Sequence, residues 1–424
     1  MRWTIKPKPD PSKVARLSKE LAVDSTTSFL LAQRGIETFE EAKNFFRPDL
    51  NDLHDPFLMK DMEKAIVRIE EAVENQENIL VYGDYDVDGT TSVALMSSYL
   101  LSFYPNVATY IPDRYDEGYG ISYKGIDFAE DNNFSLIIAL DCGIKAIDKV
   151  AYAAKKGVDF IICDHHRPGA EIPKAKAVLD PKQEDCEYPF KELCGCGVGF
   201  KLIQALASKK GETVNDLVLY LDLVATAIGA DIVPIVGENR ILAYHGLKVI
   251  NKNPRPGFEA ILKQVKKEKL TITDVVFIIA PRINAAGRMK HGNHAVTLLC
   301  ETDINLAAEY AIDIDTYNTD RRDADKRITI EALAQIEENK EQDRLTSVVY
   351  DENWHKGVIG IVASRLIETY YRPTLVFTKS GEMLAASARS VKGFDVYNAL
   401  EKCSEYIEQF GGHKYAAGLT LKPE

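Results

Sequence analysis

Three aspartates stand at alternate positions in GDYDVDG (83–89), directly after the apolar run ILVY and before a helical pattern. On an extended segment alternate side chains face the same way, which would bring Asp84, Asp86 and Asp88 to one point. Asp141 follows the run LIIAL, and Asp164, His165 and His166 follow FIIC. A single aspartate of this kind more often caps a helix. A crowded set does not stay ionised without a counter-charge, and divalent cations supply one. Carboxylates with a few imidazoles suit Mn²⁺ or Mg²⁺ better than a structural zinc, which draws on thiolates. Cys186, Cys194 and Cys196 match no standard zinc spacing.

Strands and helices around these groups show in the sequence. The runs ILVY (79–82), VATYI (107–111), LIIAL (136–140) and DFIIC (159–163) alternate with helical stretches such as SVALMSSYLLSF (92–103). That rhythm predicts a parallel sheet flanked by helices. The carboxyl ends of such strands form one ligand-binding edge, so the three acidic clusters share a crevice. Residues 1–75 carry short helical patterns broken at Pro48 and Pro56 and read as an N-terminal cap, followed by a catalytic domain over 76–302. Between 303 and 343, Leu306, Tyr310, Ile314 and Tyr317, then Ile328, Leu333 and Ile336, fall at helical spacing, while NTDRRDADKR (318–327) is polar on every face. A helix that is wet all round in its middle bridges domains. The predicted fold class is therefore α/β, a parallel sheet flanked by helices joined by a long helix to a smaller α/β domain over 344–424. That second domain has strands SVVY and TLVF, helix VIGIVASRLIETY (358–370) and Gly-rich turns near its end.

The composition narrows the function classes. With 424 residues, 46% hydrophobic and 27% charged, the chain is neither disordered nor fibrous. Its net charge of −12 argues against coating nucleic acid by bulk charge, so such a partner needs a local basic lining. KQVKKEKL (263–270) reads as a solvated helix face rather than that lining. Seven irregularly spaced cysteines look like reduced thiols. The first thirteen residues lack the apolar stretch of a signal peptide, and no apolar run reaches the ~18 residues of a membrane span. A soluble, cytoplasmic protein without membrane contact is expected.

GDYDVDGTTSVAL, LDCG (140–143) and CDHH (163–166), in this order, resemble the opening motifs of the DHH phosphoesterase superfamily. AIGADIVPIVGENR (227–240) resembles its fourth motif, with Asp231 as the acid. IPDRYDEGYGI (111–121), APRINAAGRM (280–289), the segment 357–365, SARS (387–390) and GGHKYAAGL (411–419) are similar to the RecJ family of single-strand-specific 5′ exonucleases. The resemblance implies that the two domains are a DHH and a DHH-associated domain. It implies that Asp86, Asp88, Asp141, His165 and Asp231 bind two divalent cations, Mn²⁺ or Mg²⁺, with Asp141 between them. Asp84 and His166 would stand beside them, facing substrate. Tyr82 replaces a His of small-substrate relatives, so one cation would have one ligand fewer. Phosphates would be held by Arg114, Arg282, Arg288 and Arg389, with Asn284, Ser387, Gly412 and His413 giving hydrogen bonds or close backbone approach. Arg114, Ser387 and Arg389 would form the 5′-end pocket.

The activity implied is two-metal hydrolysis of single-stranded DNA from 5′ to 3′, releasing 5′-mononucleotides in DNA repair and recombination. Single-stranded DNA is the implied partner of a monomer, with single-strand-binding protein and a RecQ-type helicase as candidate protein partners. One alternative is a DHH phosphodiesterase acting on oligoribonucleotides or cyclic dinucleotides, but its simpler members lack the cap, the GRM segment and the long helix. Another is an inactive DNA-binding scaffold, which has no use for clustered acids. The sequence ends at LTLKPE (419–424), where the RecJ family continues into an OB-fold. A core fragment or a short family member is expected.

Overall fold

Four short helices open the chain, Pro11–Leu21, Ser25–Ala32, Phe39–Phe46 and Met62–Glu74. Asp10, Asp24 and Thr38 cap the first three by accepting free amides of the first turn. Pro48 lies between helices, and Pro56 opens a single 3₁₀ turn, where a missing N–H costs nothing. The computed structural model describes residues 4–423, so residues 1–3 of the N-terminal stretch and the last residue of LTLKPE lie outside it. The chain divides into two compact units, 1–280 with 296–308 and 281–295 with 309–424.

Unit 1 is built on a five-stranded parallel sheet in the order β2-β1-β3-β4-β5. The strands are β1 Asn78–Gly83, β2 Val107–Tyr110, β3 Phe134–Leu140, β4 Asp159–Cys163 and β5 Ala177–Leu179. β1, β3 and β4 are buried almost end to end, which is why they read as unbroken apolar runs. β5 has only three residues and gave no such signal. The helix after β1 spans Val87–Leu101 and starts well before the predicted 92, because Asp86 caps it by accepting the Gly89 N–H at 3.0 Å. Asp86, as the cap, keeps extended backbone, whereas Asp88 lies inside the helix, so the alternation of the three aspartates on one extended segment stops at Asp86. A buried polar knot fastens the segment near His54 to the helices Gly195–Lys209 and Gly237–Lys252. Lys201 Nζ lies 2.8 Å from Glu238 Oε1 and donates to the His54 carbonyl, while Glu238 accepts from the His54 N–H and the Tyr188 hydroxyl.

Unit 2 carries a second five-stranded sheet, ordered β6-β7-β8-β10-β9, in which only β6 and β7 run parallel. Its strands are β6 Ser347–Tyr350, β7 Thr374–Ser380, β8 Met383–Arg389, β9 Gln409–His413 and β10 Ala416–Leu421. The predicted Gly-rich turns are this last hairpin. Phe410, Ala417 and Leu419 alternate with its glycines and pack with Ala386 and Ala388 of β8. The long helix spans Ile304–Glu338, about 52 Å at 1.5 Å per residue. Its middle is not wet all round. A buried stripe runs through Ala311, Ile314, Asn318, Asp325, Ile328, Ala332 and Ile336. The polar members of the stripe have partners, Asn318 accepting from Arg321 at 2.7 Å and Asp325 lying 3.8 Å from Arg365. Among the described residues no helix is long and apolar enough to cross a membrane.

Candidate metal centre

The acids gather where the parallel strands of unit 1 end. Asp84 follows β1, Asp141 follows β3, and Asp164, His165 and His166 follow β4. Asp231 joins them from the end of the helix Leu221–Ala230. Asp88 lies in the first turn after the Asp86 cap, and its two carboxylate oxygens accept the Gly195 and Cys196 amides at 2.7 Å each. Those amides open the helix Gly195–Lys209, whose positive end suits a carboxylate. Only glycine fits at 195, since a Cβ would lie 2.6 Å from the Asp141 Cβ. Asp141 itself sits at φ +60°, a left-handed conformation that aspartate tolerates, and its N–H bonds to the Cys163 carbonyl at 2.8 Å.

His165 is the hub. Its Nε2 lies 3.2 Å from Asp141 Oδ1, 3.5 Å from Asp231 Oδ2 and 3.8 Å from Asp88 Oδ2. Neither ring nitrogen makes a hydrogen bond, nor does Asp141 Oδ1, although these atoms are buried. Burial pushes the His165 pKa down to about 4, so its ring is neutral near pH 7 and keeps a lone pair. Burial, with the neighbouring carboxylates, pushes Asp88 and Asp141 well above the usual range, Asp84 to about 8 and Asp231 to about 7. Two donor sets have their ligand atoms within 4.8 Å of one another: Asp88, His165 and Asp231, and Asp141, His165 and His166. Orphaned buried oxygens and imidazole nitrogens aimed at shared points fit hard divalent cations.

The remaining predicted residues separate by role. Asp86 stands outside both sets as a helix cap, though its charge bears on Asp84, Asp88, Asp141 and Asp231. Asp84 accepts from the Gly120 N–H at 3.5 Å, and its Oδ2 is buried without a partner. Asp164 is saturated, accepting the Ile144, His165 and His166 amides and meeting His166 Nδ1 at 2.7 Å. Burial alone would raise its pKa, but the His166 bond brings it down to about 2, and the same bond lifts His166 to about 9 against burial. Tyr82 donates to the Gly120 carbonyl at 2.9 Å and contributes to neither donor set. Arg114 lies 3.8 Å above the Tyr85 ring with its buried Nε unbonded, and its charge reaches Asp84. Cys194 accepts from Gly197 and Cys186 from Lys60. Neither they nor Cys196 join a donor set among the described residues.

Sequence reasoning missed Asp180, which follows the short β5 on the same sheet edge. It is fully buried, accepts the Lys182 N–H at 2.7 Å, leaves Oδ2 unpartnered and is pushed up to about 7 by burial. The charge of Lys182 reaches Asp180, His165 and Asp231. An acid directly after AVL was the available signal.

The other predicted residues belong to unit 2. Arg282 pairs with Asp315 at 2.8 Å, Arg288 donates to the Gly357 carbonyl at 3.1 Å, and Asn284 shares their helix, Ala280–Met289. Arg389 donates to Ser387 Oγ at 3.0 Å on β8, and both lie against Gly360 at the start of the helix Ile359–Thr369. Gly412 and His413 are on β9, paired with Ala417 and Ala416.

Known proteins resemble this chain in sequence and fold. Residues 78–228 match the DHH family, N-terminal domain, and residues 342–424 the DHHA1 domain. The single-stranded-DNA-specific exonuclease RecJ of Dickeya dadantii is 35% identical over 92% of this chain and 71% of its own length. The chain belongs to the RecJ family. The RecJ of Bacillus subtilis is 41% identical over the whole chain, which spans 53% of that relative's length. The crystal structure of RecJ in complex with Mn²⁺ from Thermus thermophilus superposes with a TM-score of 0.85 at 27% identity, covering 98% of this chain and 59% of that one. The α/β architecture read from the sequence, a helix-flanked parallel sheet and a smaller α/β unit, is that of this RecJ structure.

Proposed function

We propose that this chain is the catalytic part of a metal-dependent exonuclease that removes 5′-mononucleotides from single-stranded DNA in the 5′ to 3′ direction. The observation that carries the reading is the neutral, unbonded His165 ring facing three acids at the sheet edge. In this reading Asp88, Asp141, His165 and Asp231, with the one carboxylate oxygen of Asp86 that does not cap Gly89, hold two divalent cations, Mn²⁺ or Mg²⁺. When bound, such cations lower the pKa of water and neutralise charge gathering on a phosphate. Charged His166, held by Asp164 at Nδ1, sets its positive charge beside the scissile phosphate, and Asp84 Oδ2 receives the proton of the attacking water. Arg114, Arg282, Arg288 and Arg389 hold phosphates, with Asn284, Ser387, Gly412 and His413 beside them. Residues 1–75 serve as a cap, 76–302 as the catalytic domain, 303–343 as the connecting helix and 344–424 as the substrate-binding domain. In this reading the chain works in repair and recombination in the cytoplasm, as a monomer, alongside single-strand-binding protein and a RecQ-type helicase.

The test is digestion of a 5′-phosphorylated, 3′-labelled DNA oligomer with Mn²⁺. Expected products are 5′-mononucleotides, with label retained on shortening strands and no cleavage of duplex. Asp141→Asn keeps the left-handed backbone and should fall below about a thousandth of wild-type activity without loss of fold. Release of labelled mononucleotide at the outset, or full activity in EDTA, would overturn the reading.

A further inference from the structure

Tyr119 lies on the loop between β2 and the helix Tyr123–Asp131, flanked by Gly118 and Gly120 at φ +83° and +76°. Its hydroxyl is 3.1 Å from His166 Nε2, on the opposite side of the imidazole from Asp164. The ring meets Tyr85 edge-on at 6.3 Å, and the Arg114 guanidinium covers Tyr85. Tyr119 is thus tethered at its hydroxyl and backed by a second aromatic, yet 54% of it is exposed. Pinning His166 alone would not require that exposure. Tyr82, whose hydroxyl bonds to the neighbouring Gly120 and Ser122, is fully buried and stacked on Tyr110. An anchored ring with an open surface beside a phosphate-cleaving crevice has the chemistry to stack on a nucleobase, whatever the base.

We propose that Tyr119 is the stacking platform for the base of the nucleotide being cleaved, and that its hydroxyl sets the orientation of His166. The proposal rests on the phosphodiester-cleaving reading above. Asp164 fixes one nitrogen of the imidazole and Tyr119 the other, so a base seated on Tyr119 holds in place the ring whose charge lies beside the phosphate. Tyr119 is in contact with substrate through its ring and is a positioning residue through its hydroxyl.

Three measurements test this, two of them without turnover. The first is calorimetric binding of thymidine 5′-monophosphate against 2-deoxyribose 5-phosphate in Mn²⁺. Wild type should prefer the nucleotide by about 5- to 150-fold, the range one base–aromatic stack supplies. Tyr119→Phe should keep that preference and Tyr119→Leu lose it. The second is the ¹⁵N resonance of His166 Nε2, which should shift in Tyr119→Phe. The third is turnover of 5′-phosphorylated single strands, where Tyr119→Phe should lower kcat by about tenfold at unchanged KM, and Tyr119→Leu should also raise KM. Equal binding of both ligands by wild type, or a retained preference in Tyr119→Leu, overturns the stacking role. An unmoved His166 resonance in Tyr119→Phe overturns the positioning role. Wild type that cuts no single strand would refute the exonuclease reading, while the binding and resonance measurements would still decide this one.

Discussion

The pKa shifts at the crevice all act on stability. Asp84 and Asp231 are raised from 3.8 to about 8 and about 7, and Asp88 and Asp141 are raised too, so metal-free folded protein binds protons that the unfolded chain has released. Their stabilising effect is complete below pH 4 and is lost as pH rises through 7 to 8. His166, raised from 6.5 to about 9, loses its contribution in the same direction. His165, lowered from 6.5 to about 4, runs the other way, its contribution present above pH 6.5 and lost as pH falls through about 4. Between about pH 6.5 and 9 the fall is therefore unopposed by these groups. In EDTA the melting temperature should drop by at least about 5 °C across that window, and saturating Mn²⁺ should remove most of the drop. A flat EDTA profile, or one indifferent to Mn²⁺, would contradict the picture of crowded acids lacking counter-charge. The sequence showed which residue types gather here, because each cluster follows an apolar run. It did not show their division of labour. Asp86 becomes a cap and Asp164 an anchor for His166, and these roles depend on amides brought in from Gly89 and from the loop at Ile144.

One contact between elements holds the metal centre and a second ties the N-terminal segment to the helix that reaches it. The helix Gly195–Lys209 delivers two amides to Asp88, with Gly195 pressed against Asp141. Gly195→Ala would force the Asp88 and Asp141 carboxylates apart. Overpacking of this kind costs about 1–3 kcal/mol, and thermal stabilisation by Mn²⁺ should shrink along with activity. Retention of full Mn²⁺ stabilisation would show that the two acids need not share a point. The knot of Lys201 and Glu238 is the second contact. Lys201→Met strands a buried carboxylate and should cost about 3–5 kcal/mol in urea unfolding, of which Lys201→Met with Glu238→Gln should recover a substantial part. If the double variant is as unstable as the single one, the lysine acts by packing rather than by charge. At this scale the four long strands were readable as apolar runs, whereas β5 was too short for periodicity to register. The long helix was readable in extent, but its middle misled. Asn318 and Asp325 continue the buried stripe while looking solvated by type, and only their pairing with Arg321 and Arg365 reveals it.

For the whole chain, a net charge of −12 sets how DNA can be held. Overall charge repels the phosphate backbone, so binding must come from a few cations placed in the motifs. The proposed contacts are four arginines, Arg114, Arg282, Arg288 and Arg389, and three of them already make polar contacts within the chain, Arg282 with Asp315, Arg288 with the Gly357 carbonyl and Arg389 with Ser387 and the Ala388 carbonyl. Each phosphate neutralised on a single strand contributes a slope of about −0.7 in log K against log salt, so four contacts give a slope no steeper than about −3. Anisotropy of a labelled single strand bound to Asp141→Asn, over about 50–300 mM salt at fixed free Mn²⁺, measures it without degradation. A slope steeper than about −5 would mean that a wider cationic surface grips the strand despite the acidic balance of the chain. A shallow slope that loses about 0.7 in Arg389→Ala would identify one of the few phosphates held. Losing affinity without any change in slope would instead make Arg389 a support for Ser387 and the surrounding strand.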